Sequence, residues 1–80
     1  MPAEDIKEHM EVVGSDGKHV GTVDQLEGPD RIKLSKKDPK SGGEHHFIPV
    51  GWVDHVDAFV HLNKSSRDAM AQWQAARHGA

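Results

Sequence analysis

Residues 12–23 read VVGSDGKHVGTV, and this pattern predicts a tight β-hairpin. Residues 15–18 form its turn, because Asp16 tolerates and Gly17 favours the positive φ of a tight turn. The flanking segments predict a first strand over residues 10–14 and a second strand over residues 19–26. The apolar positions of the second strand lose their period of two near Gly21, which predicts a bulge or a sharp bend there.

More short strands follow the hairpin, and turn residues separate them. They are predicted over residues 31–35, 45–50, 52–56 and 58–62. In the first of these, Ile32 and Leu34 alternate with polar residues and are expected to face inward. Residues 36–43 contain lysines, a proline and a glycine pair, and they predict a mobile surface loop. Pro49 lacks an amide donor, so the chain should turn a corner at this residue.

A helical pattern begins after residue 62. Residues 65–68 form a capping box, in which Ser65 is the predicted N-cap and the Asp68 carboxylate returns to the backbone. A narrow apolar stripe then predicts a helix of about three turns that ends near Gly79. The stripe consists of Ala69, Met70, Trp73 and Ala76. Trp73 should be the main anchor of the helix.

The 80 residues are enough for one domain, in which 35% of the residues are hydrophobic. Such a chain buries a thin core, so self-association as a dimer is expected to add buried surface. The absence of cysteine excludes disulfides, thiolate nucleophiles and the usual structural zinc site. The acidic N-terminus and the lack of a long apolar run predict a cytoplasmic protein without membrane contact.

These segments divide the chain into three predicted parts. Residues 1–9 are an N-terminal extension, residues 10–62 a β domain, and residues 63–80 a helix that packs on the β domain or on a partner. The predicted fold class is mainly β, with about six short strands and a C-terminal α-helix. A small, strongly bent barrel is favoured over a flat sheet, because a flat sheet would expose too much edge.

Two motifs carry a resemblance to a known family. They are Asp-Gly-x-x-Val-Gly-x-Val at residues 16–23 and Phe-Ile-Pro-Val at residues 47–50. With these motifs, residues 10–62 resemble the PRC-barrel superfamily, and more narrowly small stand-alone bacterial PRC-barrel-like proteins of unknown function. The resemblance implies a β-barrel used for docking, as in the cytoplasmic part of a photosynthetic reaction-centre subunit and in a ribosome-maturation factor. It implies structural roles for Gly17, Gly21 and Pro49, and it carries over no functional residue.

Seven histidines raise the hypothesis of a metal site. His45 and His46 are adjacent, so on a strand their side chains leave opposite faces and cannot chelate one ion together. A site would need one of them to meet a histidine of another strand. The candidate ligands are His45, His46, His55, His61 and His19. We expect rim histidines instead, with no metal and no cofactor.

Acidic residues beside histidines also suggest acid–base chemistry. Asp54 and Asp57 flank His55, and the hairpin contains the residue types of a catalytic triad. Those residues are Ser15, Asp16 and His19. Catalysis further requires a pocket, which a chain of this size can hardly enclose. The sequence therefore predicts turn-forming aspartates and no enzymatic activity.

The remaining candidates are partner contacts. Basic residues cluster on one predicted strand and its loop, where they would engage RNA or would protect a sheet edge from aggregation. They are Arg31, Lys33, Lys36, Lys37 and Lys40. The net charge of -3 argues against a general polyanion binder. Trp73, Met70 and Phe59 are candidate protein contacts. The prediction is a protein-binding module, with an RNA- or ribosome-associated module as the alternative.

Overall fold

The computed structural model describes residues 5–75, which form a bent β-sheet with one short α-helix. The strands are β1 (Glu11–Val13), β2 (His19–Glu27), β3 (Arg31–Leu34), β4 (His46–Pro49), β5 (Val53–Val56), β6 (Val60–Leu62) and β7 (Gln74–Ala75). The helix α1 covers Ser66–Gln72, and single 3₁₀ turns cover Pro39–Ser41 and Val50–Trp52. The predicted mainly β fold with a C-terminal helix is confirmed.

The long strand β2 organises the sheet, whose order is β5-β6-β1-β2-β3-β4-β7. One part of β2 pairs with β1 and the other pairs with β3, so the sheet has two halves that share this strand. The register shifts beside Gly21 and again between Val23 and Gln25. Because bulges bend and twist a strand, these two shifts let one strand serve both halves. The bulge predicted near Gly21 is confirmed.

The sheet does not close into a barrel across residues 5–75, in contrast to the predicted barrel. Its edge strands there are β5 and β7, and β7 has only two residues. The 3₁₀ turn at Val50–Trp52 forms the corner between β4 and β5, which do not pair with each other. The turn is held from both sides, since Val50 N donates to Asp30 O and Asn63 N donates to Trp52 O, each over 2.8 Å. The corner predicted at Pro49 is therefore present.

One cluster of buried apolar side chains joins the two halves. Ile32 and Leu34 face inward as predicted, and the other strands contribute mainly valines. The cluster contains Ile6, Val12, Val20, Val23, Ile32, Leu34, Ile48, Val50, Val53, Val60, Leu62 and Ala69. Ile6 lies within the predicted N-terminal extension, so part of that segment belongs to the core. Leu26 continues the apolar pattern of β2 but is 37% exposed, because it lies near the end of this strand.

The helix begins where predicted and ends earlier. Ser65 is its N-cap and accepts a hydrogen bond from Asp68 N over 3.1 Å. The predicted three turns are wrong, because Trp73 is extended and residues 74 and 75 pair with β4. Ala76 and Gly79 lie outside the described residues. No helix within residues 5–75 combines the length and the apolar character that crossing a bilayer requires.

The loop over residues 36–43 is partly buried, which corrects the predicted surface loop. Asp38 and Ser41 are both buried. Asp38 caps the 3₁₀ turn by accepting from Lys40 N over 2.9 Å, and Ser41 Oγ lies 2.6 Å from the Asp38 carbonyl oxygen. The loop turns inward because Asp38 finds hydrogen-bond donors beneath it, on β2.

Candidate functional site

A groove lies beside β4 on the described part of the chain. It has a volume of about 400 Å³, which lies within the range of ligand-binding clefts. Residues from β3 and the turn before it, β4, the corner, the end of α1 and β7 line it. They are Asp30, Arg31, Phe47, Ile48, Pro49, Trp52, Gln72 and Gln74. The side-chain amides of the two glutamines offer donors and acceptors beside the apolar Phe47, Pro49 and Trp52.

Two aromatic rings at the groove each lie under a cation. The guanidinium carbon of Arg31 is 4.5 Å from the centre of the Phe47 ring. The Lys64 ammonium is 5.1 Å from the ring of Trp52. Both distances are in the range of cation–π attraction, which holds a positive charge over the electron-rich face of a ring. The groove therefore combines apolar contact area with two cations, Arg31 on its lining and Lys64 over the Trp52 ring, and one lining carboxylate, Asp30.

The predicted basic cluster is divided by the fold. Arg31 lines the groove, whereas Lys36 and Lys37 line a separate cavity of about 520 Å³ beside Asp38 and Asp24. The Lys33 ammonium lies 3.9 Å from an Asp24 oxygen. Acidic residues thus accompany the lysines, and four of the predicted basic residues do not form one uninterrupted positive surface.

The three predicted protein contacts occupy different surroundings. Trp73 is half-buried, packs against the core and stacks on His46 with 3.9 Å between the ring centres. It therefore anchors the segment after the helix to its own sheet, while its contact with a partner stays a prediction. Met70 lies in α1 and is partly buried. Phe59 lies in the β5–β6 turn, is 41% exposed and meets His61 edge to face.

A hydrogen-bonded network of charged side chains lies beneath the loop at residues 36–43. His19 Nε2 is 2.6 Å from Asp38 Oδ2, and His19 Nδ1 is 2.8 Å from Glu11 Oε2. Thr22 Oγ1 donates to the same Asp38 oxygen over 2.6 Å. Both ring nitrogens of His19 can donate together only in the imidazolium form, so this geometry favours a charged histidine between two carboxylates.

Sequence reasoning missed this network. Asp38 and Glu11 are 19 and 8 residues from His19 along the chain, and they reach it from the loop and from the neighbouring strand β1. One local signal was present, since Asp before Pro is typical of a turn cap. That signal predicts the 3₁₀ turn but not the burial of its aspartate.

The network shifts two pKa values in opposite directions. Burial disfavours charged His19, but the hydrogen bonds and charges of Glu11 and Asp38 outweigh burial and raise its pKa above 6.5. Burial would also raise the pKa of Asp38, yet hydrogen bonds from Thr22, Lys40 N and His19 lower it below 3.8. Each shift stabilises the folded state in the pH range where its group is charged.

We expect the free energy of unfolding to fall when the pH rises from 6 to 8.5. The contribution of His19 is complete below its unfolded pKa near 6.5 and is lost as the pH rises through its higher folded pKa. The contribution of Asp38 is present above 3.8 and is lost only as the pH falls through its lower folded pKa. Urea unfolding at both pH values measures the change. A His19→Gln variant should show a smaller decrease, and an equal decrease would contradict the role of His19.

The predicted catalytic residue types do not meet in one site. Asp16 bonds to the helix start through Ser66, and His19 bonds to Glu11 and Asp38. Ser15 is held by its backbone, whose N–H donates to Lys64 O over 2.7 Å. The described contacts of Ser15, Asp16 and His19 therefore stabilise the fold. None of these contacts joins Ser15 to His19.

The histidines of the two half-sheets have separate partners. In the half that contains β4, His45 Nδ1 bonds to Leu34 O over 3.0 Å and His46 Nε2 bonds to Ser41 O over 2.8 Å. In the other half, His55 and His61 are stacked with 4.1 Å between ring centres. The structure thus brings together two of the predicted ligands, His55 and His61.

Both aspartates beside His55 also bond to histidines. Asp54 Oδ2 is 2.9 Å from His55 Nδ1, and Asp57 Oδ1 is 2.8 Å from His61 Nε2. Asp57 Oδ1 additionally accepts from Phe59 N over 2.8 Å, which confirms the predicted turn-forming aspartate at this position. That backbone bond, followed by the bond with His61, lowers the pKa of Asp57 below 3.8.

Comparison with known proteins gives one family. The sequence model of DUF2171, described as an uncharacterized protein conserved in bacteria, matches residues 6–70. The match runs from the buried Ile6 through the sheet and into the helix. Among curated proteins, no sequence matches the chain.

Proposed function

The chain belongs to the DUF2171 family of uncharacterized bacterial proteins, and we propose from the geometry of its groove that it is a non-enzymatic docking module for an acidic peptide segment. The observation that carries this proposal is the groove beside β4, with one cation over each of two aromatic rings. The resemblance of residues 16–23 and 47–50 to PRC-barrel motifs also implies a docking role. The partner is a cytoplasmic protein in this proposal.

The chemistry of the groove favours a peptide as its occupant. Phe47, Pro49 and Trp52 supply flat apolar contact, which is typical of surfaces that bind extended chains. Gln72 and Gln74 can bond to the backbone N–H and C=O groups of such a chain. Arg31 and Lys64 supply the positive charge that complements acidic side chains. Complementary charge at the rim contributes mostly to specificity and to the rate of association.

RNA is less well supported as the occupant. A single-stranded RNA site needs a positive surface that follows several phosphates, together with rings free to stack on bases. In this fold Lys36 and Lys37 of the loop line another cavity, so they do not extend the positive charge of the groove. Self-association stays a prediction, since the exposed large apolar side chains of the described chain are Leu26 and Phe59.

Fluorescence polarisation with labelled twelve-residue peptides tests the proposal. Three probes share the same apolar residues and carry glutamate, glutamine or lysine at the other positions. The glutamate peptide should bind the full chain most tightly, and Arg31→Gln should weaken it about fivefold, as expected for the loss of about 1 kcal/mol at a partly exposed charge pair. Lys18→Gln is the matched control, because it removes an exposed cation from the β1–β2 turn.

Three results would overturn the peptide proposal. The first is equal binding of the three peptides, which would remove the role of charge. The second is tight, salt-sensitive binding of a twelve-nucleotide single-stranded RNA without binding of any peptide, which would establish the alternative. Equal weakening by Arg31→Gln and Lys18→Gln would show that net charge, and not the groove, governs the interaction.

A further inference from the structure

The β5–β6 hairpin carries a cluster of possible metal ligands away from the groove. His55 and His61 are direct partners across the two antiparallel strands, so their side chains leave the same face of the sheet. Asp57 follows β5 in the connecting turn. One ligand atom from each of His55, Asp57 and His61 lies within 4.8 Å of the others.

The backbone fixes the three side chains near one another. The register of β5 against β6 places His55 directly opposite His61, and the angle between the planes of the two stacked rings is 12°. The turn sets Asp57, whose Oδ1 accepts from Phe59 N. The cluster therefore depends on the geometry of a two-stranded hairpin, which is more rigid than a set of independent surface side chains.

We propose that His55, Asp57 and His61 bind one divalent transition-metal ion of the zinc and copper(II) class. Two imidazole nitrogens and one carboxylate oxygen form a ligand set that suits these ions, and it leaves at least one coordination position open. Metal–ligand bonds near 2.0–2.2 Å place neighbouring ligand atoms roughly 3.3 Å apart. Small side-chain rotations bring the three atoms to that separation, and His61 Nε2 already lies 2.8 Å from Asp57 Oδ1.

Asp54 acts as a positioning residue for this site. Its carboxylate bonds to His55 Nδ1 over 2.9 Å. With the proton of a neutral His55 held on Nδ1, the lone pair of Nε2 is available to the ion. Such pairing of a carboxylate with a ligating histidine is usual around protein-bound metals, where it orients the ring and raises its basicity. The ion would replace the hydrogen bond between His61 and Asp57, and neutral His61 would carry its proton on Nδ1 so that Nε2 can bind the ion.

A cavity next to the cluster gives access to the open coordination position. It has a volume of about 350 Å³, and His55, His61 and Asp54 line one side. The β1–β2 turn at Ser15 and Gly17 lines the other side. Water or a small anionic ligand can therefore approach the ion from this cavity.

Titration calorimetry of the full chain with zinc chloride, and separately with copper(II) chloride, tests the assignment. We expect saturable binding of one ion per chain. His61→Gln and Asp57→Asn should each weaken it at least tenfold, since second-shell changes alone cost about that much in metal sites. Asn at position 57 keeps an oxygen for the Phe59 N–H and so preserves the turn. Imidazole ¹⁵N spectra should shift for His55 and His61 upon addition of zinc.

The control variant removes an exposed histidine elsewhere. His9→Asn suits this purpose, because His9 has a φ of 73° and asparagine tolerates that conformation. Its affinity for both ions should equal that of the unchanged chain, and circular dichroism verifies that every variant is folded. The assignment would be overturned by absent or non-saturating uptake, by unchanged affinity in His61→Gln and Asp57→Asn, or by loss of binding in His9→Asn.

Discussion

Replacement of Asp38 by alanine is expected to lower the free energy of unfolding by about 3 kcal/mol. The Asp38 side chain is only 3% exposed and accepts hydrogen bonds from three donors. The change leaves the Thr22 hydroxyl, the Lys40 backbone N–H and the His19 ring without their acceptor. It also leaves His19 with one carboxylate partner, Glu11. Because about a third of the His19 side chain is exposed, water reduces the cost to the lower end of the range for buried charge pairs.

Urea unfolding at pH 6, where both His19 and Asp38 are charged, measures this loss. The control is Asp24→Ala, which removes a carboxylate from the same strand region without removing a buried acceptor. Asp24 is 41% exposed and its nearest cation, Lys33, is 3.9 Å away, so the expected change is within about 0.5 kcal/mol. The loss of unfolding free energy in Asp38→Asn should lie between those of Asp38→Ala and Asp24→Ala, because the asparagine amide keeps one oxygen as an acceptor. Equal losses for Asp38→Ala and Asp24→Ala would refute the role of the network.

The hairpin and the strands could be predicted from local sequence, whereas the network could not. Alternation at Ile32 and Leu34 and the Asp16–Gly17 turn report directly on backbone conformation, and both predictions are confirmed. The burial of Asp38 depends instead on donors that the fold delivers from β2. A charged residue in a glycine-rich loop has the same local pattern whether it faces water or the protein, so composition predicts exposure in both cases.

The helix end shows how tertiary pairing overrides a periodic pattern. Ala69, Met70 and Trp73 fit a helical stripe, and this stripe predicts continued helix. An extended conformation at Trp73 is lower in free energy than continued helix, because the Trp73 ring stacks on His46 and the next two residues pair with β4. Helix propensity contributes only tenths of a kcal/mol per residue, so one strand pairing and one aromatic contact suffice to end the helix.

For the candidate sites, the sequence supplied some of the residues, but only the fold shows which residues lie together. Among the predicted partner residues, Arg31 lies in the groove, but its neighbours Trp52, Gln72 and Gln74 come from the corner, from the helix and from β7. The pairing of His55 with His61 needed the register of β5 against β6, which includes a bulge. A one-residue slip would place the two histidines on opposite faces. His55 and His61 were therefore among the candidate metal ligands named from the sequence, whereas Asp57 and the convergence of the three side chains were not.

The second large effect is expected for Gly14→Ala, which should lower the free energy of unfolding by about 3 kcal/mol. Gly14 follows β1, where the hairpin passes directly over the start of α1. A Cβ at this position would meet the backbone nitrogen of Ser66 and would lie 2.8 Å from the Ser65 carbonyl carbon. Backbone atoms cannot rotate away as a flexible side chain can, so the helix start must move off the hairpin.

That movement would break the contacts that join the hairpin to the helix. Asp16 Oδ1 accepts from Ser66 N over 3.2 Å, and Ser15 N donates to Lys64 O over 2.7 Å. Thermal and urea unfolding measure the loss, and amide exchange should quicken at Ala69, whose N–H closes the first helical turn. Gly51→Ala is the matched control, because a Cβ there meets nothing within 4 Å, and its effect should stay within about 0.5 kcal/mol. If both glycine variants were equally stable, the hairpin and helix would not be in the close contact on which this prediction depends.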